Sequence, residues 1–363
     1  MPNEMDGAMT ALQPRYHALR VSGVVDETAD TKSLVFDVPA GLEQVFRYRP
    51  GQFLTLRLPV GERHVPRCYS MSSAPALDSA PRVTIKRVAG GVGSNWVCDH
   101  IKPGDMIEVM QPAGIFTPRA VEGDFLLFAG GSGVTPVYSI LRSVLAAGTG
   151  RVFMFYANRD EQSVVFGDEL DALARAYPQR FTIVHWLDSR QGVPGAAQLA
   201  AYAKPWRGAE AFVCGPAPFM DVVVGALRGI EMADERIHVE RFVSLPDEVG
   251  DEAVDEAALL AANAPACTPA VEHAQIEILL DGQTHVVPCA GNETLLESAV
   301  RAGLQPPFSC QAGMCASCMC QVTGGEVHLR YNDVLDQKDL AAGWTLSCQA
   351  VPASPHVRIK YPG

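Results

Sequence analysis

No stretch of this 363-residue chain stays apolar for the roughly 18 residues that a bilayer-spanning helix needs, so membrane insertion is not expected. The start of the sequence, Met1 to Gly7, lacks the basic and apolar regions of a secretory signal, which points to a cytoplasmic protein. Positive charge is scarce: 29 Lys and Arg stand against 41 Asp and Glu, a net charge of −12. Nucleic-acid binding needs a basic face and is not expected. Zinc spacing is missing as well, because structural zinc sites pair cysteines in two C-x2–4-C knuckles or mix in histidines. What is there is ordinary globular composition, 48% hydrophobic and 19% charged, long enough for two or three separate cores.

Ten cysteines in a cytosolic chain point to metal or redox chemistry rather than disulfides. Cys310, Cys315 and Cys318 are spaced C-x4-C-x2-C, and Cys348 follows after a long gap. This is the plant-type ligand pattern of a [2Fe–2S] cluster, a carrier of one electron. Ala312, Gly313, Ala316 and Ser317 are small enough for the backbone to wrap such a cluster. Around the loop, residues 274–280 and 283–288 read as a hairpin about Asp281 and Gly282. Thr294 caps a helix predicted over 295–302, ended by Gly303. Cys320 reads as structural, and Cys68, Cys98, Cys267 and Cys289 fit no ligand pattern.

The first segment, residues 12–120, has short strands predicted at 17–25, 31–38, 52–58, 82–88 and 105–110, punctuated by Pro and Gly. That spacing predicts an antiparallel barrel. Residues 52–58 alternate, with Phe53 expected to be hidden on the face opposite Gln52 and Leu54. Two pieces carry chemistry. One is Arg67, Cys68, Tyr69 and Ser70: an arginine for phosphate, an aromatic for a flat ring and a hydroxyl for a ring nitrogen. The other is Gly91, Val92, Gly93, Ser94, Asn95 and Trp96, where a helix starting near Ser94 would offer free N–H groups to a pyrophosphate.

In the second segment, residues 121–243, a buried apolar run at 124–129 ends in Gly130, Gly131, Ser132, Gly133, Thr135 and Pro136. A helix over 137–147 follows, with Pro136 suited to its first position. Strands at 151–157, 181–187 and 211–216 alternate with helices, which predicts a doubly wound parallel sheet. Ligands bind at the carboxyl ends of such strands, where the glycine loop, Asn158, Arg159 and the turn Cys214, Gly215, Pro216 all fall. Arg159 suits a 2′-phosphate and Asp160 opposes one, so the nucleotide reads as NADH, with NADPH left open. Residues 244–271 are acidic and rich in Ala and Pro. They read as a solvated linker or a docking tether, with a short helix possible over 257–262.

Arg67-x-Tyr69-Ser70 together with the Gly91–Ser94 loop resembles the flavin domain of the ferredoxin–NADP reductase superfamily. The glycine loop and Cys214-Gly215-Pro216 resemble its nicotinamide-nucleotide domain, and residues 272–363 resemble a β-grasp ferredoxin. The resemblance implies that Arg67 contacts flavin phosphates, Tyr69 packs on the isoalloxazine and Ser70 lies near its N5 edge. Lys86 reads either as a further phosphate contact or as a surface lysine. Cys214 reads either as a nicotinamide contact or as a core thiol, and Phe242 as a shield of the flavin face. The Gly91–Trp96 loop favours FAD over FMN. Residues 185–187, 191–192, 331–335 and 337 are similar to the reductases of 3-ketosteroid 9α-hydroxylases. The implied activity is transfer of electrons from NADH through FAD and [2Fe–2S] to an oxygenase component, a Rieske-type ring hydroxylase foremost. Two alternatives share the motifs: a reductase for a diiron oxygenase such as phenylacetyl-CoA epoxidase, and a non-catalytic redox-sensing protein that binds the same cofactors.

Overall fold

The computed structural model describes residues 16–240 and 271–361, apart from 62, 115, 272, 291, 292, 305, 309–312, 314–316, 333, 334 and 336. Residues 244–270 of the expected linker with the helix expected in it, Phe242, and the expected ligands Cys310 and Cys315 therefore lie outside the described residues.

The first domain is a closed antiparallel sheet of β1 (His17–Thr28), β2 (Thr31–Asp37), β3 (Phe53–Val60), β4 (Arg63–Ser70), β5 (Arg82–Lys86) and β6 (Met106–Val109). Its order is β4-β3-β6-β1-β2-β5, and an isolated bridge between Met71 and Val83 joins the two ends. Leu19, Leu34, Leu54, Leu56, Val83 and Ile107 fill the interior. The leucines of β3 at 54, 56 and 58 share the inner face and Phe53 is hidden on the opposite one, as the alternation predicts. The outer face is covered too, with Phe53 under Gly114 and Thr55 under Cys68. One helix, α1 (Val92–His100), crosses the barrel and begins two residues before Ser94.

The second domain is a parallel sheet of β7 (Phe125–Gly130), β8 (Val152–Asn158), β9 (Phe181–Leu187), β10 (Glu210–Cys214) and β11 (Ile237–Glu240), in the order β11-β10-β7-β8-β9. Every residue of β7 and β8 is buried, as a strand covered on both faces requires. α2 (Val134–Ala147) and α3 (Gly167–Ala176) pack on one face, around Leu127, Met154 and Tyr156. Beyond a short α4 (Asp188–Gln191), α5 (Ala196–Ala203) and α6 (Ala217–Gly229) cover the other face. α2 starts at Val134, so Pro136 is its third residue rather than its first. The first turn has no intrahelical acceptor for its N–H groups, which is why proline fits there too.

The barrel and the parallel sheet are tied together by polar contacts. Ser139 Oγ of α2 donates to the Ser73 carbonyl at 2.6 Å, and Arg142 pairs with Asp78 through two hydrogen bonds.

The third domain pairs β12 (His273–Leu280) with β13 (Gln283–Ala290) as a hairpin, turned by Asp281 and Gly282 at φ +51° and +76°. It continues with α7 (Leu295–Arg301), β14 (Met319–Gly324), β15 (Val327–Leu329), α8 (Gln337–Ala341), β16 (Trp344–Leu346), β17 (Ala350–Pro352) and β18 (His356–Lys360). β18 lies between β12, to which it is parallel, and β14. Leu295 and Ala299 of α7 pack on Ile276, Ile278, Val357 and Ile359, the sheet-grasps-helix arrangement expected from the sequence.

Candidate functional site

Three sites follow one another through the fold. The first is an anion cradle at the N-terminus of α1. No acidic residue lies in its first turn and its N-cap is Gly91, so the positive end of its dipole suits a phosphate. Ser94 Oγ accepts the Val88 N–H at 3.1 Å, and Asn95 Nδ2 donates to the Gly91 carbonyl, which fix the loop. A Cβ on Gly93 would lie 2.8 Å from Arg67 Cγ. The glycine thus lets the arginine stem lie against the helix start, and both positive elements converge. Tyr69, two residues on, shares a face of β4 with Arg67, and burial pushes its phenol up while Arg67 opposes the shift. Ser70 is 2% exposed, and its hydroxyl finds no partner among the described residues. An orphaned buried hydroxyl beside an aromatic and a cradled arginine fits a flavin.

The second site lies at the carboxyl ends of β7 and β10, where the strand order reverses. Gly131 has φ +51°. A Cβ on Gly133 would meet the Cys214 carbonyl oxygen at 2.3 Å, and one on Gly130 would meet Pro216 and Phe219 at 2.9 Å. The two turns are packed backbone to backbone, which fixes the glycines. Cys214 itself is fully buried in the core, its thiol pushed up by burial and then by Glu240. Glu240 is its register partner on β11. Glu240 is half-buried, and its carboxyl is pushed up to about 8 by burial, with Asp339 of the third domain adding to the shift.

Beside the glycine loop is a cavity of about 250 Å3, lined by Lys86, Gly130, Gly131, Asn158, Arg159 and Asp188 among others. Lys86, read from the sequence either as a phosphate contact or as a surface lysine, lines this cavity, with Nζ 3.5 Å from the Ser163 carbonyl and 3.7 Å from Asp30. It sits at the last position of β5, where the barrel meets the parallel sheet. Asn158 is 4% exposed, and its amide lies near the Tyr156 hydroxyl without closing a hydrogen bond of ordinary geometry. Asp188 Oδ1 is buried with no partner among the described residues, and burial raises its carboxyl. Arg159 is engaged by Asp160 at 2.9 Å. Asp188 and Glu240 were not singled out from the sequence. Each immediately follows or ends a parallel strand, the position where ligands gather in this architecture, and that was the signal available.

The third site is the cysteine loop. Cys318 and Cys348 are 2% and 6% exposed, with their sulfurs 3.2 Å apart. That is too long for a disulfide, and two buried thiols brought together would serve as ligands of an iron–sulfur cluster. Gly313 has φ +74°, and a Cβ there would lie 2.8 Å from Tyr331. The turn below Tyr331 is closed by Asn332, which bonds the Leu335 N–H and carbonyl, each at 2.8 Å. Cys320 is fully buried, as expected of a structural thiol. The cysteine loop also touches the barrel: Ser317 Oγ lies 3.7 Å from Cys68 Sγ.

The chain matches three family models in order: the oxidoreductase FAD-binding domain over residues 18–117, the oxidoreductase NAD-binding domain over 127–225, and the 2Fe-2S iron-sulfur cluster binding domain over 278–353. This chain belongs to the ferredoxin reductase family. The reductase is an oxidoreductase whose cofactors are FAD, NADH and a [2Fe–2S] cluster. It is 50% identical over 344 residues to the ferredoxin reductase component of 3-ketosteroid-9-alpha-monooxygenase from Rhodococcus rhodochrous, covering 94% of this chain and 96% of that one. A component of the 1,2-phenylacetyl-CoA epoxidase from Escherichia coli K12 is 34% identical, covering 95% and 98%. Phthalate dioxygenase reductase, a solved structure, matches with a TM-score of 0.59 at 22% identity, covering 95% and 98%, which shows the shared fold. No described helix is long and apolar enough to cross a membrane.

Proposed function

We propose that this reductase withdraws electrons from NADH and delivers them singly to the oxygenase component of a steroid-ring hydroxylase, a Rieske-type enzyme acting on 3-ketosteroids. The observation that carries the reading is the arrangement of the three sites, with the cysteine loop against the flavin strand, in a chain half identical to a 3-ketosteroid monooxygenase reductase. Bound FAD supplies the passage from a two-electron donor to a one-electron carrier, and the cluster supplies that carrier.

The chain's own residues do the positioning. Arg67 and the α1 N-terminus hold the flavin pyrophosphate, and Gly91, Val92, Gly93, Ser94, Asn95 and Trp96 shape that cradle. Tyr69 packs on the flavin ring, and the Ser70 hydroxyl faces its reactive edge. Gly130, Gly131, Ser132, Gly133, Thr135 and Pro136 bring the nucleotide pyrophosphate to the start of α2. Cys214, Gly215 and Pro216 border the nicotinamide, with Phe242 as the proposed shield of the flavin face. Cys310, Cys315, Cys318 and Cys348 hold the cluster. Asp188 accepts from a ribose hydroxyl and repels a 2′-phosphate, while Arg159, already engaged by Asp160, offers little to one. The domain limits are proposed as 12–120, 121–243 and 272–363, joined by 244–271, in a cytoplasmic protein.

Titration of the oxidised protein with NADH, and separately with NADPH, tests this reading in one spectrum. NADH is expected to bleach the flavin band and then the cluster band, with NADPH much less effective. Failure of NADH to reduce either group would sink it. The E. coli relative keeps a second partner class in view, so cluster reoxidation by a purified 3-ketosteroid oxygenase and by a purified epoxidase component is the test of partner.

A further inference from the structure

Between Arg67 and Tyr69 stands Cys68, and its thiol takes a different direction. Residues alternate across a strand, and Cys68 lies over Thr55, its register partner on β3. Thr55 is 2% exposed, and its Oγ1 is 3.4 Å from the Cys68 sulfur, which fixes the thiol. On its other side the sulfur is 3.7 Å from the hydroxyl of Ser317, which stands 249 positions away in sequence. Ser317 is 4% exposed and immediately precedes the ligand Cys318. A thiol–hydroxyl contact of this length is weak as a hydrogen bond. Its value is steric: two small side chains let the flavin strand and the cluster loop approach closely.

We propose that Cys68 is a positioning residue, the seat on which Ser317 docks, and that this contact sets the rate at which electrons pass from the flavin barrel to the cluster. The inference rests on the function proposed above and adds a specific docking point to it. Each NADH oxidised to NAD+ and a proton yields two electrons, and the cluster accepts one at a time, so the contact is used twice per NADH. Larger side chains at either position would hold the loop away by overpacking, an effect that shifts a packed equilibrium by roughly tenfold or more.

Two variants test this from opposite sides, Cys68→Leu in the barrel and Ser317→Leu in the loop. Each is made in the full chain and checked for flavin and cluster absorbance. Stopped-flow mixing with NADH resolves flavin reduction and cluster reduction in one trace. The expected result is a slowing of roughly tenfold confined to the second step in both variants, with Cys68→Ser restoring it. A second readout does not depend on turnover. Alkylation of Cys68 by iodoacetamide, followed by peptide mass spectrometry, is expected to run roughly tenfold faster in Ser317→Leu than in the parent, because the covering loop is displaced. Unchanged cluster reduction in Cys68→Leu, or equal alkylation of Cys68 in the parent and Ser317→Leu, would overturn the proposal. If NADH fails to reduce the parent flavin, the function proposed above falls, and alkylation alone decides the docking.

Discussion

A methyl group at position 133 would press on the Cys214 carbonyl oxygen from 2.3 Å, and neither backbone can yield without moving a strand end. Gly133→Ala is therefore expected to cost about 1–3 kcal/mol, read as a lower denaturation midpoint, together with weaker NADH binding. Asp188→Asn removes a carboxylate rather than adding bulk. The ratio of kcat/KM for NADH over NADPH is expected to fall roughly tenfold or more, the range of a hydrogen bond to a charged group; an unchanged ratio would place the ribose elsewhere. Glu240 gives a pH signature. Its folded value of about 8 lies above the ordinary 4.5, so its contribution to stability is full below pH 4.5 and declines as pH rises towards 8. Glu240→Gln is expected to flatten that part of the profile in denaturant midpoints measured from pH 5 to 9. The glycines and the Arg67, Tyr69, Ser70 run drew notice in the sequence because they fall in short motifs that resemble a known family. Asp188 and Glu240 did not, since a single acid after a strand looks like any solvated acid until its neighbours enclose it.

At the scale of elements, the contact between α2 and the barrel rests on Arg142 and Asp78, which are mostly buried. Burial pulls the Asp78 carboxyl up, but Arg142 and the Ala74 N–H outweigh it and hold it below the usual aspartate value. The stabilisation is present above that usual value of 3.8 and is lost as pH falls through the lower folded value. Acid exposure is expected to loosen the barrel from the parallel sheet before either melts, seen as earlier hydrogen exchange along β5 and α2. An Asp78→Asn variant should show that loosening already at neutral pH. Most elements were legible from pattern: β9 matches its predicted bounds, and the capped helix α7 ends one residue short of its expected end. What covers the outer face of β3 was not legible, because the cover comes from sequence-distant residues, Gly114 and Cys68, which no local period reports.

For the whole molecule, the direction of flow predicts how a broken outlet behaves. Cys348→Ser is expected to reduce NADH-driven cytochrome c reduction by at least the roughly tenfold that loss of an outer-shell partner costs a metal site, while ferricyanide still draws electrons from the barrel. Equal loss with both acceptors would mean that the flavin and the cluster are not arranged in series. The order of the three domains was legible because each carries its own motif. The seating of the third on the first was not, because Cys68 and Ser317 belong to no shared pattern and meet only in space. In the third domain, β18 at residues 356–360 is an inner strand held between β12 and β14. The ribosome synthesises that strand after both of its neighbours, so the sheet that supports the cysteines cannot close until then. Domains fold in turn during synthesis, so the barrel and the parallel sheet can take up flavin on a nascent chain that is still unable to accept iron.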